Sequence, residues 1–130
     1  MVLVTHVDQV VLALCAWKEA RNGGQAGMQS VMNVILNRAK RQQKSVYAIV
    51  FAPLQFSSMT YQHDPQLLLQ AEETDTSWLM AQALAGQAAT NSLADITQGA
   101  LFYYALTIPE PSWAKSMLQT VVIDNQRFLK

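Results

Sequence analysis

Few side chains in this chain combine a reactive type with a setting that could use it, and the acid in AWKEARNGGQAG, residues 16–27, comes first among them. Glu19 lies where an apolar run gives way to a glycine turn, between Lys18 and Arg21. On an ideal helix it falls on the stripe of Leu12 and Cys15, an apolar side, whereas Lys18 and Arg21 project elsewhere. Two effects would then raise its pKa: partial desolvation, and the negative end of the helix dipole, which opposes a further negative charge. A carboxylic acid still protonated near neutral pH is what general acid catalysis needs. The competing reading is a surface glutamate paired with Lys18 or with a basic residue of the next helix, and periodicity alone leaves that pairing slightly ahead.

Other chemistries lack their residues. His6 and His63 are far apart, with no HxxxH or HxH spacing, and Cys15 is the single cysteine, so neither a zinc site nor any cofactor is expected. The same scarcity argues against Ser-His-Asp and Cys-His catalysis, and no glycine loop of phosphate-binding form is present. Apart from Asp8 near the N-terminus, the remaining acids, Asp64, Glu72, Glu73, Asp75, Asp95, Glu110 and Asp124, fall in polar loops or turns, where carboxylates serve as caps or solvated groups.

The 130 residues suffice for one domain with a real core and are too few for two, so residues 1–130 are read as a single domain. Apolar residues make up 51% and charged residues only 14%, which suits an uncharged or mixed ligand. Nine Lys and Arg balance nine Asp and Glu, so no long-range field draws in nucleic acid. The local excess RAKRQQK, residues 38–44, reads as a solvated tail that complements a helix dipole. MVLVTHVDQVV has no positive leading region and is interrupted by His6, Asp8 and Gln9, so neither a signal peptide nor a membrane span is expected there, and the protein is expected in the cytoplasm as synthesised.

The elements that must position Glu19 can be placed. Thr5 and Asp8 have the form of a capping box ahead of VVLALCAW, predicting a central helix over about 6–21 that Asn22, Gly23 and Gly24 end. Met28, Val31, Met32, Ile35, Leu36 and Ala39 predict an amphipathic second helix. Ser45 caps a short third helix through VYAIVF, and Pro53 leads into the long loop LQFSSMTYQHDP. A small-residue helix follows from Asp75 or Thr76, and TVVIDNQRF predicts a hairpin about Asp124-Asn125. The fold class is therefore α+β, mainly helical, closed by a small C-terminal β-hairpin.

WKEARNGGQAGMQSVMNVILNRAK, FAPLQFSSM and GALFYYALTIPEPSWAKSMLQTVVIDNQRF, which together run over about residues 8–128, closely resemble the SleB/CwlJ type of cell wall hydrolase. The resemblance implies a lysozyme-like domain that cleaves the glycan strands of peptidoglycan, with Glu19 as the catalytic acid. In lytic transglycosylases of this type the acid protonates the oxygen between N-acetylmuramic acid and N-acetylglucosamine. It then deprotonates the muramyl 6-hydroxyl, which closes an anhydro ring. A hydrolytic muramidase would want a second carboxylate, for which Asp64 and Asp95 are the candidates. An amidase or a non-catalytic wall-binding module are further alternatives.

Beside Glu19 the resemblance places Gln55 and Ser57 of QFS, which read equally as donors to the acid or to a sugar N-acetyl group and as a turn motif, and Tyr103 and Tyr104 as sugar-binding residues. Alternation in an extended segment turns one tyrosine away, and Tyr104 is preferred for the cleft. Phe56 and Trp113 read as core or cleft wall. Gln126 stands where relatives often carry histidine. With neither a signal peptide nor a wall-binding domain in view, the expectation is a monomeric phage or prophage lysis protein, freed to reach the wall by a membrane-permeabilising partner.

Overall fold

Thr5 and Asp8 cap the first helix reciprocally: each side chain accepts the other's backbone N–H, both at 3.1 Å, in a computed structural model that describes residues 2–130. Helix α1 runs His6–Ala20, and the free oxygen of Asp8 accepts from Tyr47 N at 3.0 Å, which ties α1 to the short helix α3, Val46–Val50. A 3-10 turn, Arg21–Gly23, ends α1, and Gly24 at φ +66° takes the left-handed backbone that reverses the chain into α2, Gly24–Gln42. Helix α2 thus begins four residues before Met28. The glycine has a packing reason, since a Cβ at Gly27 would lie 3.2 Å from Ala20 O.

Helix α1 is central, as its all-round apolar stretch predicts: Leu12, Cys15 and Ala16 are fully buried with Met32 and Ile35 of α2 and Val46 and Val50 of α3. Two further helices complete the helical part: α4, Ser57–Thr60, inside the long loop, and α5, Thr76–Ala89, capped by Asp75. Small side chains at Ala81, Ala85 and Ala88 let α5 lie against this core.

Strands β2, Gln119–Ile123, and β3, Gln126–Leu129, form the expected hairpin, with Asp124 at φ 54° in its turn. The aromatic segment adds β1, Phe102–Ala105, to the far side of β3, giving a three-stranded antiparallel sheet in the order β1-β3-β2. Register places Tyr103 opposite Phe128 and Tyr104 opposite Arg127. One face gathers Tyr103, Phe128 and Val34 against the helices, and the other gathers Tyr104, Leu129 and Ala114. No helix among the described residues is long and apolar enough to cross a membrane.

Candidate active site

Glu19 stands in the last turn of α1, one turn beyond the fully buried Cys15, and is itself half-buried. Neither flanking cation pairs with it. Lys18 turns the other way, where Nζ donates to Leu67 O in the loop after α4 at 2.6 Å and, more weakly, to Ser58 O of α4 at 3.5 Å. Arg21 folds back over its own helix, donating to Trp17 O at 3.2 Å with its guanidinium 4.4 Å from the Trp17 ring centre. Among the described residues neither of these cations nor a basic residue of α2 forms the ion pair that the sequence allowed.

Three groups, one each from β1, α4 and the loop after α4, act on the carboxyl. From β1, the Tyr103 hydroxyl donates a long hydrogen bond of 3.4 Å to Glu19 Oε1. From α4, the buried Ser58 hydroxyl lies close enough to favour the charged form, yet its Oγ reaches no hydrogen bond of good geometry. From the loop beyond, Asp64 contributes a like charge. Burial is the largest influence on Glu19 and, with Asp64, raises its pKa above the usual carboxylate range despite the opposing pull of Ser58 and Tyr103. The Tyr103 phenol is pushed up in turn, by burial first and then by Glu19, so it stays a neutral donor.

Asp64 has the opposite environment. Ser57 Oγ donates to it at 2.6 Å and Gln66 N at 2.8 Å, and these bonds hold its carboxyl below the ordinary range. The surroundings thus push the two carboxyls in opposite directions, Glu19 toward the neutral form and Asp64 toward the anion, the division that acid-assisted bond cleavage uses.

The other candidates sort themselves by partner. Gln55 is exposed and its Oε1 accepts from Arg38 at 3.0 Å, while Ser57 is engaged with Asp64; neither has a hydrogen bond to Glu19. Tyr103, not the preferred Tyr104, meets the acid. Pairing with β3 turns Tyr104 to the opposite face, where its ring lies 6.1 Å from that of Trp113. Phe56 is core, and Trp113 is 43% exposed against Phe102 and Tyr104. Asp95 organises its own turn, accepting from Thr97 N, Thr97 Oγ1, Gly99 N and Asn37 Nδ2, so it is a structural acid. Gln126 lies on β3 with a buried, unpartnered Oε1. Among the described residues no three His, Cys, Asp or Glu side chains converge as a metal site would require.

Sequence reasoning missed Ser58. It sees two adjacent serines, and the turn of α4 that buries the second and exposes the first is set by Phe56 entering the core.

A central buried helix that ends in a protonatable acid, faced by a small antiparallel sheet, defines a lysozyme-like domain. The sequence profile of the cell wall hydrolase family matches residues 22–129, and the chain belongs to that family. The profile match starts just after Glu19, but the structural likeness extends across it. The catalytic domain of the germination-specific lytic transglycosylase SleB from Bacillus anthracis superposes with a TM-score of 0.74 at 26% identity, covering 97% of this chain and 96% of that one. The catalytic domain of the Bacillus cereus SleB protein gives a TM-score of 0.75 at 26% identity, covering 97% and 91%. No curated protein sequence matches.

Proposed function

We propose that the protein cleaves peptidoglycan glycan strands as a lytic transglycosylase, with Glu19 as the single catalytic carboxyl. The observation that carries this reading is the half-buried Glu19, its pKa raised chiefly by burial, on the helix end that faces Tyr103 of the sheet. Membership of the cell wall hydrolase family and likeness to a SleB catalytic domain described as a lytic transglycosylase support it.

In the proposed reaction the neutral Glu19 gives its proton to the glycosidic oxygen as the bond from that oxygen to the muramyl anomeric carbon breaks. The muramyl 6-hydroxyl oxygen then bonds to the anomeric carbon, and the Glu19 carboxylate takes up the hydroxyl proton. The acid is restored and no water is consumed. A raised pKa serves both halves, because it enlarges the protonated fraction at the start and makes the conjugate base a better proton acceptor. Tyr103 and Ser58 stabilise the anion between the two transfers.

Asp64 favours a second reading. An ionised carboxylate held by Ser57 and Gln66, with its charge felt at Glu19, could direct a water to the anomeric carbon and make the enzyme a hydrolytic muramidase. Mass spectrometry of soluble muropeptides decides. Anhydro-muramyl ends are expected; reducing muramyl ends assign hydrolysis, free stem peptides assign amidase action, and binding without soluble product leaves a wall-binding module. Neither matched structure is described as a phage protein, so the phage or prophage setting stays a reading of the sequence alone.

A further inference from the structure

The basic stretch RAKRQQK does not behave as one solvated tail. Lys40 and Arg41 are exposed, but Arg38 turns inward from α2. Its Nε donates to Leu101 O at 2.6 Å, one Nη donates to Gln55 Oε1 at 3.0 Å, and the guanidinium lies 5.7 Å from the Phe56 ring centre and 5.2 Å from that of Phe102. These contacts hold the plane of the fork but supply no counter-charge. Burial is the main influence on the group and disfavours its charge; the neighbours that oppose it are Tyr103 and Cys15, both themselves pushed toward the neutral form. No carboxylate among the described residues forms an ion pair with it. A partly buried guanidinium without an anion is an unfavourable arrangement, and a ligand that brings the anion relieves it.

Arg38 opens on a cavity of about 220 Å³ lined also by Gln42, Lys44, Ala48, Gln55 and Phe102. The lining has two cations, two side-chain amides and no acid. Two of the five guanidinium N–H groups are used by the contacts above, which leaves donors for a ligand. The last carbonyls of α2 oppose an anion here, but the chain end folds back so that Gln43 N and Lys44 N both donate to Ala39 O, and the two full positive charges dominate. The volume is below the roughly 300–1,000 Å³ of sites that enclose small molecules and suits a terminal charged group better than a sugar ring. Through Gln55 the cavity joins the segment that carries Ser57 and Ser58, and through Arg38 it adjoins Tyr103, the donor to Glu19.

We propose that this cavity is a carboxylate subsite, in which Arg38 and Lys44 bind a free carboxylate of the peptide stem carried by the glycan. The inference rests on the peptidoglycan reading and names the part of that substrate recognised beside the cleaved bond. The amino sugars are uncharged once the muramyl lactate is amide-linked, so the anions of such a polymer are the carboxylates of its stems. A planar fork suits a carboxylate bidentately, and a lysine across the cavity adds a point charge.

The test is sedimentation binding with the Glu19→Gln protein, which separates recognition from cleavage, on purified peptidoglycan with free stem carboxylates and on the same material with those carboxylates capped as neutral methylamides. Tighter binding to the intact polymer is expected, with an advantage that shrinks in 0.5 M salt. Adding Lys44→Gln, a change at an exposed residue, should weaken binding to the intact polymer about threefold to fivefold and leave the capped polymer unaffected, with Lys44→Arg restoring the advantage. Equal binding to both polymers, or an equal loss on both in Lys44→Gln, overturns the subsite. Binding to neither polymer overturns it too, and absence of soluble products from the wild-type protein on either polymer is the separate failure of the glycan-cleavage reading.

Discussion

The two sides of the acid are built differently. Behind Glu19, α1 carries a capping box at one end and a glycine turn at the other, and its Leu12, Cys15 and Ala16 are completely buried among α2, α3 and α5. In front of it, residues 51–75 contain one four-residue helix and otherwise turns closed by single bonds, such as Asp64 N to Tyr61 O and Leu67 N to Asp64 O, both at 3.0 Å. Packing fixes where the acid is. Burial raises its pKa most, and polar groups of this segment and of the sheet adjust it. Lys18 joins the two regions, because the helix residue next to the acid reaches across to Leu67 O.

The contrast is tested most severely at Glu19. Glu19→Gln should lower release of soluble muropeptides by about 10³-fold or more, the scale of a lost general acid, while far-UV circular dichroism stays unchanged. Stability should move the other way. Because the native pKa is raised, the folded protein holds a proton that the unfolded chain has released between the usual carboxylate range and the native value. Wild-type stability therefore falls as pH rises through that window. Glu19→Gln removes this loss, so its melting temperature should exceed that of the wild type at pH 7 and the advantage should vanish below about pH 4. A variant less stable than wild type at pH 7 would mean that Glu19 is held by favourable contacts and not strained by burial.

Truncation on the packed side should cost stability first. Leu12→Ala, at a residue with no exposed surface, is expected to destabilise by about 3 kcal/mol, read by urea unfolding. Lys18→Met should differ in kind. The methylene stem stays and only the tether to Leu67 O and Ser58 O goes, so urea stability changes by about 1 kcal/mol while activity falls roughly tenfold and residues 61–75 become open to limited proteolysis. Unchanged proteolysis and activity in Lys18→Met would show that the turns hold the segment unaided.

The packed side was also the legible side. Thr5 with Asp8, Ser45 and Asp75 announce three helix starts, and each makes its capping bond, Ser45 to Ala48 N and Asp75 to Trp78 N both at 3.0 Å. The Asp124-Asn125 turn gave the hairpin, and the stripe of Leu12 and Cys15 gave the direction of Glu19. The polar side was harder to read. Alternation says that Tyr103 and Tyr104 face apart, but which one meets the helices depends on pairing between residues 102–105 and 126–129, far along the chain. Ser58 and Ser57 differ only through the burial of Phe56, and Gly27 is where α2 passes close to Ala20. Long-range register and close approach of backbones leave no local pattern.

The smallest effect is the sharpest test, because its sign differs between the loop and the sheet. Asp64 raises the Glu19 pKa through its charge, and Tyr103 lowers it by donating to the carboxylate. Activity requires protonated Glu19, so the alkaline limb of the pH profile follows that pKa. In Asp64→Asn the like charge is gone, ionisation becomes easier, and the limb should move to lower pH. In Tyr103→Phe the anion loses a donor, ionisation becomes harder, and the limb should move to higher pH. Tyr104→Phe, on the opposite face of the sheet, should leave the limb where it is. The profiles should be measured on one peptidoglycan preparation at constant ionic strength, since screening would weaken the Asp64 effect more than the Tyr103 hydrogen bond. Shifts of the same sign in Asp64→Asn and Tyr103→Phe would show that the limb reports some other group, and the division of labour between packed helix and polar loop would have to be abandoned.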